Sequence, residues 1–250
     1  MNFNESLLSV VLPVYNEAAC IVPVLNELCR ALAFAPRHEV LVVDDGSTDG
    51  SGALVAEFAA SHSCVRTLRL EPNAGQSAAF WTGIQAAAGD VIVLMDADGQ
   101  NDPADIKRLV STFDNADICC GYRARRNDSL SKRLASRAAN AVRRAVLGDD
   151  IIDTGCSLKA FRAPLLKQLQ YWDGMHRFLP VLASLRGARI VQIPVSHRSR
   201  MAGKSKYTNF GRLKRTLRDM RGVAWLKSRT RAFTVMDLLT NLSNESSGRD

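Results

Sequence analysis

Apolar residues in the first half of the chain form short continuous runs, each followed by polar residues and then by a segment with helical periodicity. The clearest runs are residues 9–14, 39–43, 91–95 and 118–121, and residues 65–70 are predicted to be a further strand between them. A run of four to eight apolar residues without alternation is typical of a strand that is buried on both faces. Alternation of such strands with helices predicts an α/β fold, a Rossmann-like, mostly parallel sheet with helices on both faces.

The pattern after residue 121 is looser. It predicts a basic helix over 131–147, a strand with a turn over 151–160, a helix over 174–185 and a strand over 189–195. A final helix carries apolar residues at a spacing that places them on one stripe: Phe210, Leu213, Leu217, Met220 and Ala224. Arg and Lys surround this stripe. We therefore expect one domain over 1–207, a basic amphipathic helix over 208–231 and a polar, disordered tail over 232–250.

Composition sets limits on this picture. The chain has 250 residues and is 46% hydrophobic, which is enough for a single well-formed core. No apolar run approaches the roughly 18–20 residues of a membrane-spanning helix. The six cysteines form no CxxC pair and have no disulfide-framework spacing, which is typical of thiols in a reducing compartment.

The net charge of +8 conceals a strong asymmetry along the chain. Residues 1–122 carry 6 basic and 16 acidic side chains, whereas residues 123–144 carry 8 basic and 1 acidic and residues 186–231 carry 14 basic and 1 acidic. Two separate basic blocks indicate an anionic partner for the second half of the chain. Nucleic acid, an anionic membrane and a phosphorylated substrate all fit this charge.

The sharpest chemical signal is Asp96-Ala97-Asp98-Gly99-Gln100, directly after a buried run. Residues two apart at a strand end can direct both carboxylates to one point, where they repel each other unless a cation lies between them. A hard divalent cation with oxygen ligands fits, and Gln100 offers a third oxygen. A helix-capping loop is the structural alternative. A phosphatase with Asp96 as nucleophile is another, although Gln100 departs from that motif.

Taken together, several segments resemble the family 2 glycosyltransferases of the GT-A fold. They are VVLPVYNE (10–17), EVLVVDDGSTDGS (39–51), EPNAGQSAAFWTGIQAAAGDVIVLMDADGQNDP (71–103), CGYR (120–123) and DTGCSLKAFR (153–162). The loop HRSRMAGKSKY (197–207) resembles the branch that transfers sugars to polyprenyl phosphates, which includes dolichol-phosphate mannose synthases. Residues 1–207 would then be the glycosyltransferase domain.

The resemblance implies a nucleotide diphosphate sugar as donor and Mg²⁺ or Mn²⁺ as cofactor. Residues that would border the nucleobase and ribose are Pro13, Tyr15, Glu17, Asp44 and Asp45. The ligands of the metal on the diphosphate would be Asp96, Asp98 and Gln100. Residues of the loop that would close over the donor are Arg200, Lys204, Ser205 and Lys206.

The same resemblance implies a polyprenyl phosphate, undecaprenyl or dolichyl, as acceptor. Arg123 would contact phosphate, and the region that meets the acceptor phosphate contains Lys132, Arg133 and Ser136. A phosphate acceptor is already largely anionic at pH 7, so it requires no general base. Single displacement at the sugar C1 implies inversion, with Asp98 and Arg123 as catalytic residues.

Asp153 keeps an alternative open. It is either a general base or part of a structural turn with Thr154 and Gly155, and His176 is either an acceptor-orienting group or a surface histidine. A base would favour a second function, transfer to a sugar hydroxyl of a lipid-linked glycan or lipopolysaccharide. A third reading is a non-catalytic basic module. The basic blocks lack the interleaved aromatic residues that stack on bases, so we expect no nucleic-acid partner.

The acceptor would reside in a bilayer, although the sequence contains no membrane-spanning run. We expect the basic helix over 208–231 to dock on an anionic membrane surface. Packing of its apolar stripe against the domain is the alternative. The enzyme would then be cytoplasmic and peripherally associated with the inner face of the membrane, with a small membrane protein as a possible partner. The donor base and sugar are not readable from the sequence.

Overall fold

The computed structural model describes residues 5–124, 140–200 and 209–230, with side chains from residue 215 onward in the last segment. The strands in chain order are β1 (Leu8–Val14), β2 (His38–Asp44), β3 (Val65–Arg69), β4 (Val91–Leu94), β5 (Ile118–Arg123), β6 (Lys159–Arg162) and β7 (Ile190–Val195). The helices are α1 (Ile21–Ala31), α2 (Ser51–Ser61), α3 (Gln76–Ala86), α4 (Asp105–Val110), α5 (described over 140–147), α6 (Ala163–Lys167), α7 (Leu179–Ser184) and α8 (Asn209–Arg229).

The seven described strands form one sheet in the order β3-β2-β1-β4-β6-β5-β7. The β1–β2, β1–β4, β2–β3 and β5–β7 pairs are parallel. Strand β6 lies between β4 and β5 and is antiparallel to both. The sheet is therefore mostly parallel, and one reversed strand joins its two parallel groups.

The continuous apolar runs explain why the sheet is covered on both faces. In β1, Val10 and Leu12 enter the core layer that contains α1, whereas Val11 between them enters the opposite layer with α3. Neighbouring side chains of a strand point to opposite faces, so a strand that is apolar at every position must be buried on both. Helix α3 packs so closely on β1 that a Cβ at Gly83 would overlap the side chain of Val11.

Two elements of the second half differ from the sequence prediction. The expected strand over 151–160 is a loop as far as Leu158, and only Lys159–Arg162 pairs in the sheet. The expected helix over 174–185 is divided into a 3-10 turn at Met175–Arg177 and the short α7, which begins next to Pro180. The apolar residues of 151–158 predicted backbone hydrogen bonds to a neighbouring strand. The loop is instead held by polar contacts, which are described below.

Candidate active site

A cleft of about 620 Å³ lies at the carboxyl edge of the parallel strands. Ligands bind in this position in open α/β sheets because the strand-to-helix loops converge there. The predicted site residues that line the cleft are Pro13, Tyr15, Glu17, Asp45, Asp96, Asp98, Gln100, Arg123 and Arg200. Residues that are 187 positions apart in the chain thus face one space.

Other predicted residues are not part of this lining. Asp44 turns away from the cleft, where its carboxylate accepts a hydrogen bond from the backbone N–H of Ser47 at 2.9 Å and pairs with Arg69 at 3.2 Å. Asp153 lies behind the lining and is buried. Residues that fall outside the described part of the chain are Lys132, Arg133, Ser136, Lys204, Ser205 and Lys206.

The loops that follow β1 and β2 are joined by side-chain-to-backbone hydrogen bonds. Asn16 adopts a left-handed conformation with φ 53°, and its Oδ1 accepts from the backbone N–H of Thr48 at 2.8 Å. The backbone N–H of Asn16 donates to Ser47 Oγ, and that of Glu17 donates to Ser51 Oγ. Two loops from neighbouring strands therefore form one rigid wall behind Tyr15 and Glu17.

Asp45 fixes the third loop of this wall. Its buried carboxylate accepts from the backbone N–H groups of Ala74 at 2.8 Å and Gly75 at 2.9 Å, and from Asn73 Nδ2 at 2.9 Å. Burial raises the pKa of Asp45 in spite of these donors. Asp45 thus faces the cleft and also orders the turn before α3.

Asp96 and Asp98 converge at the end of β4. Gln76 Nε2 donates to Asp96 Oδ1 at 2.8 Å, and Arg200 donates to Asp98 Oδ2 at 2.8 Å. Burial, reinforced by the negative charge of Asp98, raises the pKa of Asp96 to about 6. Like charges this close favour protonation of one carboxyl group, or a cation that contacts both.

This pair fits a divalent cation by its chemistry. Burial next to a second carboxylate raises the pKa of Asp96, which is the response expected where negative charge lacks a cation, and carboxylate oxygens are the ligands that Mg²⁺ and Mn²⁺ prefer. Across the described ranges, no group of three or more His, Cys, Asp or Glu side chains could hold a metal. A cation here would therefore take further ligands from elsewhere, and the phosphates of a bound nucleotide are the usual source.

The loop after β7 is attached to the loop that carries the carboxylates. The backbone N–H of Arg198 donates to the carbonyl oxygen of Gln100 at 2.9 Å, and Asn101 forms a β-bridge with His197. The Arg198 guanidinium pairs with Glu27 and with Asp102, each at 2.7 Å. These contacts hold the beginning of the loop, so that Arg200 reaches Asp98.

Arg123 at the end of β5 forms a two-pronged ion pair with Asp153. Its Nε donates to Oδ2 at 2.7 Å and its Nη2 donates to Oδ1 at 2.9 Å. A Cβ at Gly155 would lie 2.9 Å from the same Nη2, so the guanidinium passes directly over this glycine. Both carboxylate oxygens of Asp153 are therefore used to aim Arg123 toward the cleft.

Sequence reasoning missed several residues that build this site. Ser157 Oγ accepts from Asn101 Nδ2 at 2.9 Å and from the backbone N–H of Asp96 at 3.3 Å. Lys159 is buried, its ammonium bonds the carbonyl oxygens of Thr154 and Cys156, and its charge opposes the rise in the Asp96 pKa. The one available signal was a lysine between Leu158 and Ala160 in a segment predicted to be a strand, since a buried charge requires partners.

His176 does not line the cleft but lies close behind it. Its Nδ1 is 2.6 Å from the Oγ of Ser77, a buried residue that also accepts from the backbone N–H of Gly174 at 2.8 Å. Ser77 directly follows Gln76, which binds Asp96. The hydrogen bonds of Ser77 with His176 and Gly174 thus connect the segment before α7 to the first turn of α3.

Comparison with known proteins places the chain in a family. The model of glycosyl transferase family 2 matches residues 9–170. A dodecaprenyl-phosphate galacturonate synthase from Rhizobium johnstonii is 37% identical over 207 residues, which are 80% of this chain and 61% of that protein. An undecaprenyl-phosphate 4-deoxy-4-formamido-L-arabinose transferase from Pectobacterium carotovorum is 37% identical over 204 residues, with 80% and 62% covered. The chain thus spans about three-fifths of the length of these relatives.

Solved structures support the same fold. Glucosyl-3-phosphoglycerate synthase from Mycobacterium tuberculosis, in complex with Mn²⁺, uridine diphosphate and glucosyl-3-phosphoglycerate, matches with a TM-score of 0.67 at 21% identity over 91% of this chain and 82% of that one. A mannosyltransferase from Pyrobaculum calidifontis, in complex with GDP-mannose and Mn²⁺, matches with a TM-score of 0.62 at 19% identity over 91% and 65%. The predicted GT-A fold, an α/β sheet covered on both faces, is confirmed. The chain belongs to family 2 of the glycosyltransferases.

Proposed function

We propose that this protein transfers a sugar from a nucleotide diphosphate donor to a polyprenyl phosphate, with inversion at the sugar C1. Two relatives at 37% identity carry dodecaprenyl phosphate and undecaprenyl phosphate in their names. Solved proteins of the same fold were captured with UDP or GDP-mannose together with Mn²⁺. The cleft supports the proposal because it brings together the acidic pair Asp96 and Asp98 and the guanidinium groups of Arg123 and Arg200.

The ion pair between Arg123 and Asp153 is the observation that favours a phosphate acceptor over a sugar hydroxyl. Transfer to a sugar hydroxyl needs a carboxylate that is free to accept a proton, and Asp153 was the candidate for that role. Both of its oxygens instead bind Arg123, and it is buried away from the cleft. The pair supplies a fixed cation and removes the candidate base, which suits a phosphate acceptor that is already anionic.

The residues of the chain stabilise the charge that the reaction develops. As the bond between the sugar C1 and the diphosphate breaks, negative charge grows on the leaving phosphate oxygens. Arg123 and Arg200 line the cleft where donors aimed at that charge lower the barrier, and Asp45 with its loop holds the nucleoside end. A divalent cation on Asp96 and Asp98 would supply Lewis-acid stabilisation of the diphosphate.

The acceptor attacks from its own phosphate oxygen. The monoester carries between one and two negative charges at pH 7, so it needs positioning and partial charge balance rather than deprotonation. Arg123 is fixed by Asp153 and lines the cleft, where its guanidinium can contact the phosphate of an acceptor. An α-linked donor would then give a β-linked lipid phosphosugar.

A donor panel tests this proposal. The protein is mixed with Mg²⁺ or Mn²⁺, a polyprenyl phosphate and labelled UDP- or GDP-sugars, and label is followed into organic solvent. A parallel series replaces the polyprenyl phosphate with the corresponding polyprenol or with a glycan acceptor. Glu57→Gln, an exposed carboxylate on α2, serves as the matched control for Asp98→Asn.

We expect metal-dependent label in lipid from at least one donor, lost in Asp98→Asn, kept in Glu57→Gln and absent with polyprenol. Transfer to a hydroxyl acceptor with none to the phosphate would overturn the proposal. Donor binding without transfer to any acceptor would show that this chain alone is not sufficient for catalysis. Adding membranes would then show whether the predicted small membrane partner is needed.

A further inference from the structure

Helix α8 is attached to the domain through the face that the sequence assigned to an apolar stripe. Met220 and Val223 are 5% and 3% exposed and belong to the core layer on the α3 side of the sheet. Arg177 donates to Thr216 Oγ1 at 3.1 Å, and the Lys227 ammonium bonds the carbonyl oxygens of Leu147 and Gly148. Of the stripe, Met220 and Ala224 are therefore packed against the protein itself, whereas Leu217 is 40% exposed, so this face mainly attaches α8 to the domain. The side chains of Phe210 and Leu213 lie outside the described part.

The opposite face of α8 has a different character. Arg218, Arg221, Trp225 and Arg229 recur at helical spacing on this outer side, and all four are exposed. Trp225 is 62% exposed, the largest value among the exposed large apolar side chains of the described residues. We call these four residues the basic face. It combines three guanidinium groups with one large indole ring.

We propose that the basic face docks the protein on an anionic lipid bilayer, with Trp225 at the level of the headgroups. An indole ring favours the membrane interface because it is apolar along its body and polar at its N–H. Arginines near an anionic surface each add about 1 kcal/mol of attraction. The proposal deepens the proposed function, because a lipid acceptor is the reason for such a surface.

Charge complementarity selects this partner. Over residues 215–230 of α8 the single acidic side chain is Asp219, which is half-buried on the side of Gly174 and away from the basic face. The exposed large apolar side chains in the described part of α8 are Leu217, Trp225 and Leu226, which are separated around the helix and do not form one continuous patch of the several hundred Å² that a stable dimer buries on each subunit. One aromatic ring among arginines also lacks the series of stacking platforms that single-stranded nucleic acid uses.

A neighbouring helix adds apolar groups to this region. Val142 and Val146 are 47% and 46% exposed, and they lie one turn apart on α5. The end of α5 supplies the carbonyl oxygens that bind Lys227 of α8. Two joined helices therefore expose apolar side chains, and α8 also exposes arginines, a combination that is typical of helices that lie in a headgroup layer.

The fold connects the basic face to the cleft. The first described turn of α8 is tied by Thr216 to Arg177, whose neighbour His176 binds Ser77. Ser77 follows Gln76, a residue of the cleft lining. Helix α8 is thus joined to the cleft through Arg177, His176 and Ser77, so docking of α8 on a bilayer would tether the cleft to the membrane that holds a lipid acceptor.

Vesicle binding tests the proposal with the full chain. Vesicles of phosphatidylcholine with 30% phosphatidylglycerol, as a chosen composition, are compared with phosphatidylcholine alone by sedimentation at low and at about 0.15 M salt. The triple variant Arg218→Gln, Arg221→Gln and Arg229→Gln should weaken binding by about 100-fold if each arginine contributes fully. A control with the same loss of charge is Arg37→Gln, Lys107→Gln and Arg186→Gln, all exposed and outside α8.

Trp225 provides a spectroscopic readout that a structural role would not give. On anionic vesicles, its fluorescence should shift to the blue and be quenched by lipids brominated near the headgroup. Trp225→Phe should remove the shift while keeping most of the binding, and Trp225→Ala should weaken binding by several-fold. The remaining tryptophans, Trp81 and Trp172, lie in half-buried positions and give the background signal.

Equal binding of the triple variant and its charge-matched control would overturn the proposal, as would binding that does not depend on anionic lipid. Tight binding of an oligonucleotide that is lost in the triple variant would assign the face to nucleic acid instead. Dimerisation that Trp225→Ala abolishes would assign it to a second copy of the chain. Because these vesicles contain no acceptor, docking is measured apart from catalysis. Transfer to a short-chain acceptor in detergent measures the proposed function alone.

Discussion

The two sides of the cleft are built by different means. On the acidic side, neutral donors hold the loops: backbone N–H groups fix the Asp45 carboxylate, and serine hydroxyls fix the loop at Asn16. On the basic side, ion pairs hold the functional groups, with Arg123 on Asp153 and Arg200 on Asp98. The first arrangement keeps one shape, whereas the second can exchange one anionic partner for another.

This difference suits a cleft that receives two phosphorylated molecules. A nucleoside is recognised by shape and hydrogen bonds, so a wall that is ordered before binding loses little entropy when the donor arrives. Phosphates bring their own charge and compete for cations that are held by carboxylates. Arg200, which binds one of the two carboxylates proposed to hold a metal, is the group most exposed to such exchange.

Replacing Asp98 of the acidic pair should have the largest effect on sugar transfer. Asp98→Asn takes away a carboxylate that is proposed to hold the metal and also serves as the partner of Arg200, so transfer should fall by about 1,000-fold or more. Steady-state transfer with labelled donor measures this loss. Mn²⁺ binding, followed by electron paramagnetic resonance in the presence of nucleotide, should weaken in parallel.

That loss can be assigned to Asp98 only if the Asp98→Asn protein is folded. Its thermal unfolding is therefore compared with that of the control variant Glu57→Gln. An Asp98→Asn protein that keeps both its unfolding temperature and more than a tenth of its activity would contradict the assignment of Asp98. A loss of activity together with unchanged Mn²⁺ binding would place the metal elsewhere.

Replacing Arg200 should have the next largest effect. It should strengthen Mn²⁺ binding in the absence of nucleotide and weaken the use of the nucleotide sugar. Without nucleotide, Arg200→Ala should bind Mn²⁺ several-fold more tightly, because the guanidinium no longer competes for Asp98. With a nucleotide sugar present, the same variant should show a higher KM, because a cation for the diphosphate is lost.

Arg189→Ala sharpens this test, since Arg189 and its partner Asp117 are absent from the cleft lining. Its Mn²⁺ affinity without nucleotide should equal that of the unaltered protein. A weaker Mn²⁺ affinity in Arg200→Ala would show that this arginine supports the metal rather than competing with it.

The smallest effect concerns the stability of the sheet at Glu39, which lies at the beginning of β2 and away from the cleft. Burial alone would raise the pKa of Glu39, but hydrogen bonds from Ser9 Oγ at 2.6 Å, the backbone N–H of Ala88 at 2.6 Å and Arg66 at 2.8 Å leave it lowered. This stabilisation is complete above the unfolded pKa of about 4.3 and is lost as the pH falls through the lower folded value. Glu39→Gln should cost about 2 kcal/mol at pH 7.

Urea unfolding at pH 7 and at pH 3 measures that contribution. The difference in unfolding free energy between Glu39→Gln and the unaltered protein should shrink as the pH falls, because both side chains are then neutral. A difference that is independent of pH would show that packing, and not the charge of Glu39, is responsible.

The sequence predicted the first half of the fold closely. The runs in β1, β2, β4 and β5 are apolar at most positions, and that pattern has few solutions other than a doubly covered parallel sheet, whereas β3 at the sheet edge is more polar. The loop over 151–158 was predicted poorly because Ile151, Cys156 and Leu158 suggest a strand. The ion pair of Asp153 with Arg123, formed across 30 residues, fixes this loop through a contact that no local pattern records.

The site was predictable wherever side chains follow a strand directly. Asp45, Asp96 and Asp98 were found from their place at strand ends, and all three line the cleft. The supporting roles of Ser157 and Lys159 were not found, because they act through atoms distant in sequence. The face of α8 that is open to solvent was also misjudged, since an amphipathic pattern does not reveal which side is covered.

The central claim is that Asp153 positions Arg123 for a phosphate acceptor and does not act as a base. A double-mutant cycle on kcat and kcat/KM with Arg123→Gln, Asp153→Asn and both together tests it most directly. If Asp153 acts only through Arg123, the double variant should be no slower than Arg123→Gln, and the acid limb of the pH–rate profile should be the same in both. A further large loss of kcat when Asp153→Asn is added to Arg123→Gln would contradict the account and favour a hydroxyl acceptor.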